Sequence, residues 1–446
     1  MKMKIRRRQL VLGASLTPLL AACATQGGPA ESVPAPSKVP VTVRYLHQWG
    51  VLYIDRVDKM MADFTAKNPM IKAEHTRVGD VHPVFITNQA AGSPAEVHMM
   101  WRSNMPGFAV KGGVMPLDPL IRSEKFQTSI YYENEFKSSQ FLGKTYVLPA
   151  AASGAWYVLF YNRDHFREAG LSDAKGPATW AEAVRYAGLL NKRGADGKIE
   201  RLGFEPALRD AGTYNSPFAT WLATNDGKFA SDDGRKLLFD SPQGAATLEW
   251  MLNVVRQVGG PEAFDEFFDR AKGGHDSFPI GQRAMYMTNH SFPARLQLVA
   301  KDLRYGIDFL PRGSEKGATG IVRGGWSNGI PTGVKAPYEA WQLLQYLSAT
   351  KEGAGWFMQE QVRPSPIKTV NEDPSYNTLP HWDVIKRGLV ADRLVPVTPM
   401  DPEIDKLTGT MVLDAFRGKM PLKEALAFAQ KEGQRMLDEF WASVKV

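Results

Sequence analysis

Between Gly143 and Trp180 the hydrophobic period of the chain changes twice, and that order of elements restricts the fold more than any other stretch. A turn at Leu142-Gly143-Lys144 leads into a short β-like run, Thr145 to Leu148, that stops at Pro149. The small residues Ala150 to Ala155 then precede a second apolar run, Trp156 to Tyr161, rich in aromatic and branched side chains and too short for an independent helix. After Asn162 the period becomes helical through Phe166 and Ala169, with Gly170 as the stop. Thr179-Trp180-Ala181-Glu182 has the S/T-x-x-E pattern of a capping box and opens another helix. Strand, turn, helix, loop and capped helix read as a chain leaving one α/β unit to begin another. The segment is an interlobe crossover.

The flanking sequence supplies the two units. A chain of 446 residues exceeds one ordinary core, so two compact bodies are expected. Val41 to His47 reads as a first strand, and Val57, Met60, Met61 and Phe64 recur at helical spacing after it. Ile71 to Val78 and Val97 to Met100 read as further strands. Such alternation argues for a mostly parallel sheet with helices on both faces. Past the crossover, Asp240-Ser241-Pro242 starts a helix that places Leu248, Met251, Leu252 and Val255 on one face. Asn225-Asp226-Gly227 and Asp232-Asp233-Gly234 are turns, because the acid and glycine spacing of a calcium loop is absent.

The net charge of +7 invites a nucleic-acid reading, but residues 1–22 hold five of the positive charges and no acid, leaving +2. No basic stripe remains for phosphate-backbone binding, so no nucleic-acid partner is expected. Those 22 residues read as a signal: a basic start, then an apolar run from Leu10 to Ala22 that is short for a membrane span. Arg7-Arg8-Gln9-Leu10-Val11 resembles a twin-arginine export signal, with an ordinary Sec signal as the equal alternative. Leu20-Ala21-Ala22-Cys23 resembles a lipobox, which makes Cys23, the chain's one cysteine, the lipidation site. Residues 23–40, rich in Gly, Pro, Ser and Ala, are then a flexible tether. With Cys23 acylated, no disulfide is available to the folded part.

Several stretches resemble one family in the same order. GKTYVLP, LFYNRDHFREAGL and PATWAEA resemble the crossover of the extracellular solute-binding proteins of ABC importers, and FTAKNPMIKAEHTRV resembles their first β-α-β unit. GVMPLD, IGQRAM, YGIDFLP and GGWSNGIP followed by EAWQLLQYLSATKEG continue the resemblance to the C-terminus. The nearest group is family 1, the mostly carbohydrate-binding, maltose-binding-protein-like set. The resemblance implies a two-lobed, periplasmic-binding-protein-like α/β fold, each lobe a mostly parallel sheet flanked by helices, joined by hinge crossovers. Lobe one takes residues 41–160 and 311–364, and lobe two takes 161–310 and 365–446. The implied function is exported capture of a carbohydrate between the lobes and delivery to inner-membrane ABC permease subunits, by a monomer tethered through its lipid anchor. The alternatives are a polyol or glycerol-phosphate ligand, a carbohydrate-active enzyme, or a sensory binding subunit.

No enzyme motif argues otherwise: G-x-S-x-G, H-E-x-x-H, C-x-x-C and a P-loop are all missing, and the eight histidines show no metal-ligand spacing. No cofactor, metal or catalytic residue is expected. Tyr131-Tyr132 reads as a packed aromatic pair rather than a ferric-ion site. Sugars present apolar C–H faces and hydroxyl edges, so flat aromatics beside Asn, Gln or Arg are the binding candidates. In open α/β sheets such sites lie where strands end. Trp49 beside Gln48, Trp101 beside Asn104, and Trp326 beside Asn328 fit that place. Trp49 and Trp326 are read as ligand contacts. Trp101 and Trp156 have core packing as the competing role, and Trp221 reads either way. Asn289, in the loop Asn289-His290-Ser291, offers a polar edge or a helix cap, and Arg363 a grip on a hydroxyl pair or phosphate, or a salt bridge.

Overall fold

Alternation of buried and exposed residues defines the first strand, β1 (Val41–His47), and the strands that follow it are β2 (Ile71–Arg77), β3 (Val97–Trp101), β4 (Val147–Pro149), β5 (Tyr157–Asn162), β6 (Met285–Asn289), β7 (Tyr305–Asp308) and β8 (Trp326–Gly329). The computed structural model describes residues 33–154, 156–206, 217–271 and 276–444. The export signal and the lipidation site Cys23 lie outside the described residues.

A five-stranded sheet has the order β2-β1-β3-β8-β4, and a three-stranded sheet the order β6-β5-β7. The mostly parallel expectation needs correcting in strand direction. β1 runs parallel to β2 and β3, but β8 is antiparallel to both β3 and β4. The smaller sheet is antiparallel throughout. The reason is the path of the chain: β5 carries it away from the first sheet and β7 carries it back, so as neighbours they must oppose.

The helix Ile54–Lys67 buries Val57, Met60, Met61 and Phe64 against the first sheet, the face expected from their spacing. Thr179 and Glu182 form the expected reciprocal capping box on the helix Trp180–Leu190. Ser241 caps the helix Pro242–Gln257, which buries Leu248, Met251, Leu252 and Val255. One apolar core gathers Val43, Val97, Leu148, Trp341 and Leu344, and a second gathers Leu159, Trp180, Met251, Met287 and Leu437. β5 serves both: Val158 and Phe160 face the first core, Leu159 and Tyr161 the second. Period-two alternation thus lets one strand join two cores.

Three histidines are buried, and burial outweighs every neighbour that would hold a proton on them. Burial pulls His47 and His290 down to about 3 and His98 to about 4. In the unfolded chain each titrates near 6.5, so the unfolded state takes up protons first as pH falls. The stability they confer is complete above about pH 6.5 and declines on acidification by about 1.4 kcal/mol per pH unit for each ring, until the folded values are reached. Urea unfolding of the apo protein should therefore weaken steeply between pH 7 and pH 5. A flat profile over that range means the rings are not held neutral.

Candidate functional site

The carboxyl ends of the parallel strands and the start of β8 meet at one edge of the first sheet. Trp326 lies directly across from Trp101, and Ser327 from Pro149. The segment beginning at Trp326 is thus a strand, not the loop that its glycines suggest. The Trp101 and Trp326 rings meet edge to face with centroids 4.9 Å apart, and Trp101 meets Trp156 the same way at 5.1 Å. All three are half-buried. Trp156 directly precedes β5, whose first residue pairs with Asn289 at the end of β6. His290, the next residue, closes the cluster edge-on to Trp156 at 5.5 Å. Edges of both sheets therefore converge on one aromatic wall.

Two glycines allow the rings to approach. A Cβ on Gly324 would lie 2.5 Å from the Trp101 ring, inside contact distance. Gly325 has φ +121°, and a Cβ there would lie 2.6 Å from the Cβ of Ser153. The room these glycines leave is filled by the protein's own side chains.

His290 supplies directionality. Its Nε2 lies 3.1 Å from the Ala152 carbonyl, which only accepts, so Nε2 carries the proton. Nδ1 is then an acceptor, and it is buried with no partner among the described residues. Burial first, then the positive charge of Arg363, pulls the ring down to about 3 and keeps it neutral. The arrangement presents aromatic faces beside a fixed acceptor, suited to the C–H face and hydroxyl edge of a polyhydroxy compound.

The other candidates divide. Arg363 lies near enough to His290 for its charge to act on that ring, with its guanidinium carbon 5.8 Å from the centre of the Trp49 ring. Trp49 itself is core: it is 5% exposed, meets Phe357 edge-on, and donates its indole N–H to the Tyr45 hydroxyl at 3.0 Å. It supports the arginine rather than facing a cleft. Asn328 also belongs to the interior, accepting from Tyr45 and donating to Ser348. Two residues along a strand is about 6.7 Å, which carries it past the edge that Trp326 occupies. Trp221 is fully buried in the second core, with its indole N–H donated to the Pro206 carbonyl at 2.7 Å.

Gln48 accepts from the Val81 N–H at the start of a helix, and Asn104 bonds His82 at 2.8 Å. Asn289 accepts from the Ser291 N–H in the turn before the helix Phe292–Val299, so its side chain orders the loop. His290, named in the sequence only as part of the loop Asn289-His290-Ser291, is the residue of that loop that joins the rings.

The described chain is similar throughout to proteins of one architecture. The model of the family described as bacterial extracellular solute-binding protein matches residues 54–354. The sn-glycerol-3-phosphate-binding periplasmic protein UgpB of Escherichia coli strain K12 is 22% identical, covering 87% of this chain and 91% of its own. The sugar-binding protein MalE of Xanthomonas citri superposes with a TM-score of 0.73 at 20% identity, covering 90% of this chain and 98% of its own. An ABC transporter solute-binding protein of Agrobacterium radiobacter K84, in complex with ribitol, gives 0.70 at 20% identity, covering 89% and 99%. At these identities the superpositions establish the two-lobed fold, and the family match, spanning well over half of the sequence, establishes the kinship: the chain belongs to the bacterial extracellular solute-binding proteins.

Proposed function

We propose that the protein captures a carbohydrate or related polyol between its two lobes and delivers it to the permease of an ABC importer. One observation carries the reading: Trp101, Trp156 and Trp326 form a wall where the edges of both sheets meet, with an unpartnered acceptor on His290 beside them. Similar proteins that bind a sugar, ribitol or sn-glycerol 3-phosphate support a polyhydroxy solute. The lobes are residues 41–160 with 311–364, and 161–310 with 365–446. No bond is made or broken; capture is lobe closure about the crossovers. A monomer acylated at Cys23 holds the fold to the membrane through residues 23–40, a tether long enough for the lobes to reach a permease.

Four measurements test this. A sugar and polyol panel should contain members that raise the melting temperature, since a ligand that binds only the native state stabilises it. With such a member, Trp326→Ala should weaken binding about tenfold or more, ~1.4 kcal/mol. Because that ring is only half-buried, the apo fold should lose well under the ~3–5 kcal/mol of a fully buried tryptophan. Full binding in a severely destabilised variant would assign Trp326 to the core. Small-angle scattering should show the radius of gyration fall at saturating ligand, and an unchanged value contradicts hinge closure. Finally, Cys23→Ser should move the protein from the membrane to the soluble fraction; retention on the membrane rules out the acyl anchor.

A further inference from the structure

Three of the segments that run between the two cores meet at one place. Ala152 lies in the first core and Leu159 in the second, Ile321 in the second and Ile330 in the first, Leu389 in the first and Val395 in the second. The segments touch pairwise, and a glycine makes each contact. A Cβ on Gly154 would lie 2.7 Å from the Leu389 carbonyl oxygen, one on Gly320 2.9 Å from the Cα of Ala391, and one on Gly325 2.6 Å from the Cβ of Ser153. With no side chain between them, the segments form a tight bundle.

The short helix Glu133–Lys137 is tied to all three. Glu135 accepts from the N–H groups of Ser153 and Gly154 on the first. Its ion-pair partner Arg102 donates a backbone N–H to the Gly325 carbonyl on the second, at 3.0 Å. Asn134 donates its side-chain N–H to the Ala391 carbonyl on the third, at 2.8 Å. Rotation displaces an atom in proportion to its distance from the axis, so hydrogen bonds survive a turn only close to it. A buried ion pair is costly to part. Closure therefore costs least when it turns about the helix that ties the three segments together.

We propose that Asn134 and Glu135 are the positioning residues of capture: the bundle beside them is the axis about which the lobes close, and the tryptophan wall is complete before solute arrives. The assignment rests on the reading of capture as lobe closure. Trp101 adjoins Arg102, Trp326 adjoins Gly325, and Trp156 stands two residues after Gly154. Rings so near the axis move little, so closure brings a solute against a finished surface.

Glu135→Gln strands a buried arginine, so the test falls on Asn134. Asn134→Asp keeps the shape and suits the first turn of a helix, but a carboxylate cannot donate to the Ala391 carbonyl. Its melting temperature should stay close to that of the wild type. Lobes freed at one of three links have more freedom to lose on binding. Calorimetry on the full-length chain with ribitol, maltose and sn-glycerol 3-phosphate should show the variant about threefold or more weaker for the solute that the wild type takes. An unchanged affinity overturns the positioning role. So does a weakening that comes with a marked fall in melting temperature, which makes the side chain structural only. The far-ultraviolet circular dichroism that the wild type shows and Trp101→Phe lacks reports the edge-to-face rings. That difference should be present without solute; if it appears only with solute, closure assembles the wall and the axis lies elsewhere. Scattering separates the two readings. No compaction of the wild type with any of the three solutes overturns lobe closure, and this assignment with it. Compaction of the wild type beside full affinity in Asn134→Asp leaves closure standing and sinks the assignment alone.

Discussion

The carboxylate of Glu135 holds together the place where the chain leaves its first sheet. It pairs with Arg102 and accepts from the backbone N–H of Ser153 at 2.7 Å and of Gly154 at 3.2 Å. Arg102 in turn donates to the Ala151 carbonyl at 3.0 Å and to the hydroxyls of Ser138 and Ser153. Glu135 and Arg102 are each about 1% exposed, so removing either would leave a buried charge without its counterpart. What the pair fixes is relative position. Trp101 stands one residue before Arg102, and Trp156 follows the clamped segment. Their edge-to-face contact is therefore set by a polar knot beneath it, and the rings need not find each other by apolar packing alone.

The knot also explains the mixed sheet. Once residues 150–154 are tied to the end of β3, β5 must start close to that edge and run away from it. The returning chain then enters the first sheet between β3 and β4 from the same edge, which makes β8 antiparallel to both. Trp326, as its first residue, arrives opposite Trp101 as a consequence of strand direction. The backbone carbonyl of Trp326 accepts from the N–H groups of Ala150 and Ala151, so the return strand and the outgoing segment are bonded at the wall itself.

Local sequence rules read the elements well because their causes are local. The face of the helix Ile54–Lys67, the box at Thr179 and the cap at Ser241 each depend on residues within two turns. The strand-end rule pointed to the edge of the first sheet where Trp101 and Trp326 meet. It could not say how deep a residue lies. Trp49 and Asn328 sit beside that edge in sequence yet point inward, because Tyr45 and Ser348 offer partners from β1 and from the helix Pro337–Ala349. Trp221 gave no signal separating core from cleft, since a buried indole needs only one acceptor and the Pro206 carbonyl provides it. Glu135 was invisible for a related reason: its partners lie 18 to 33 residues away, and nothing in an acidic helix marks one carboxylate as buried.

The protonation state of His290 follows from what surrounds it. A carboxylate placed beside Arg363 would have offset the charge, and it would also have favoured a proton on the nearby imidazole. Without one, the arginine's field adds to burial in keeping His290 neutral, and the Ala152 carbonyl fixes which nitrogen bears the proton. The imidazole thus keeps one nitrogen as an acceptor whose orientation the fold sets. On the proposed reading a solute hydroxyl donates to that nitrogen while the rings take its apolar face. Selectivity would then come from an acceptor already held in position, which limits the ordering that binding must impose.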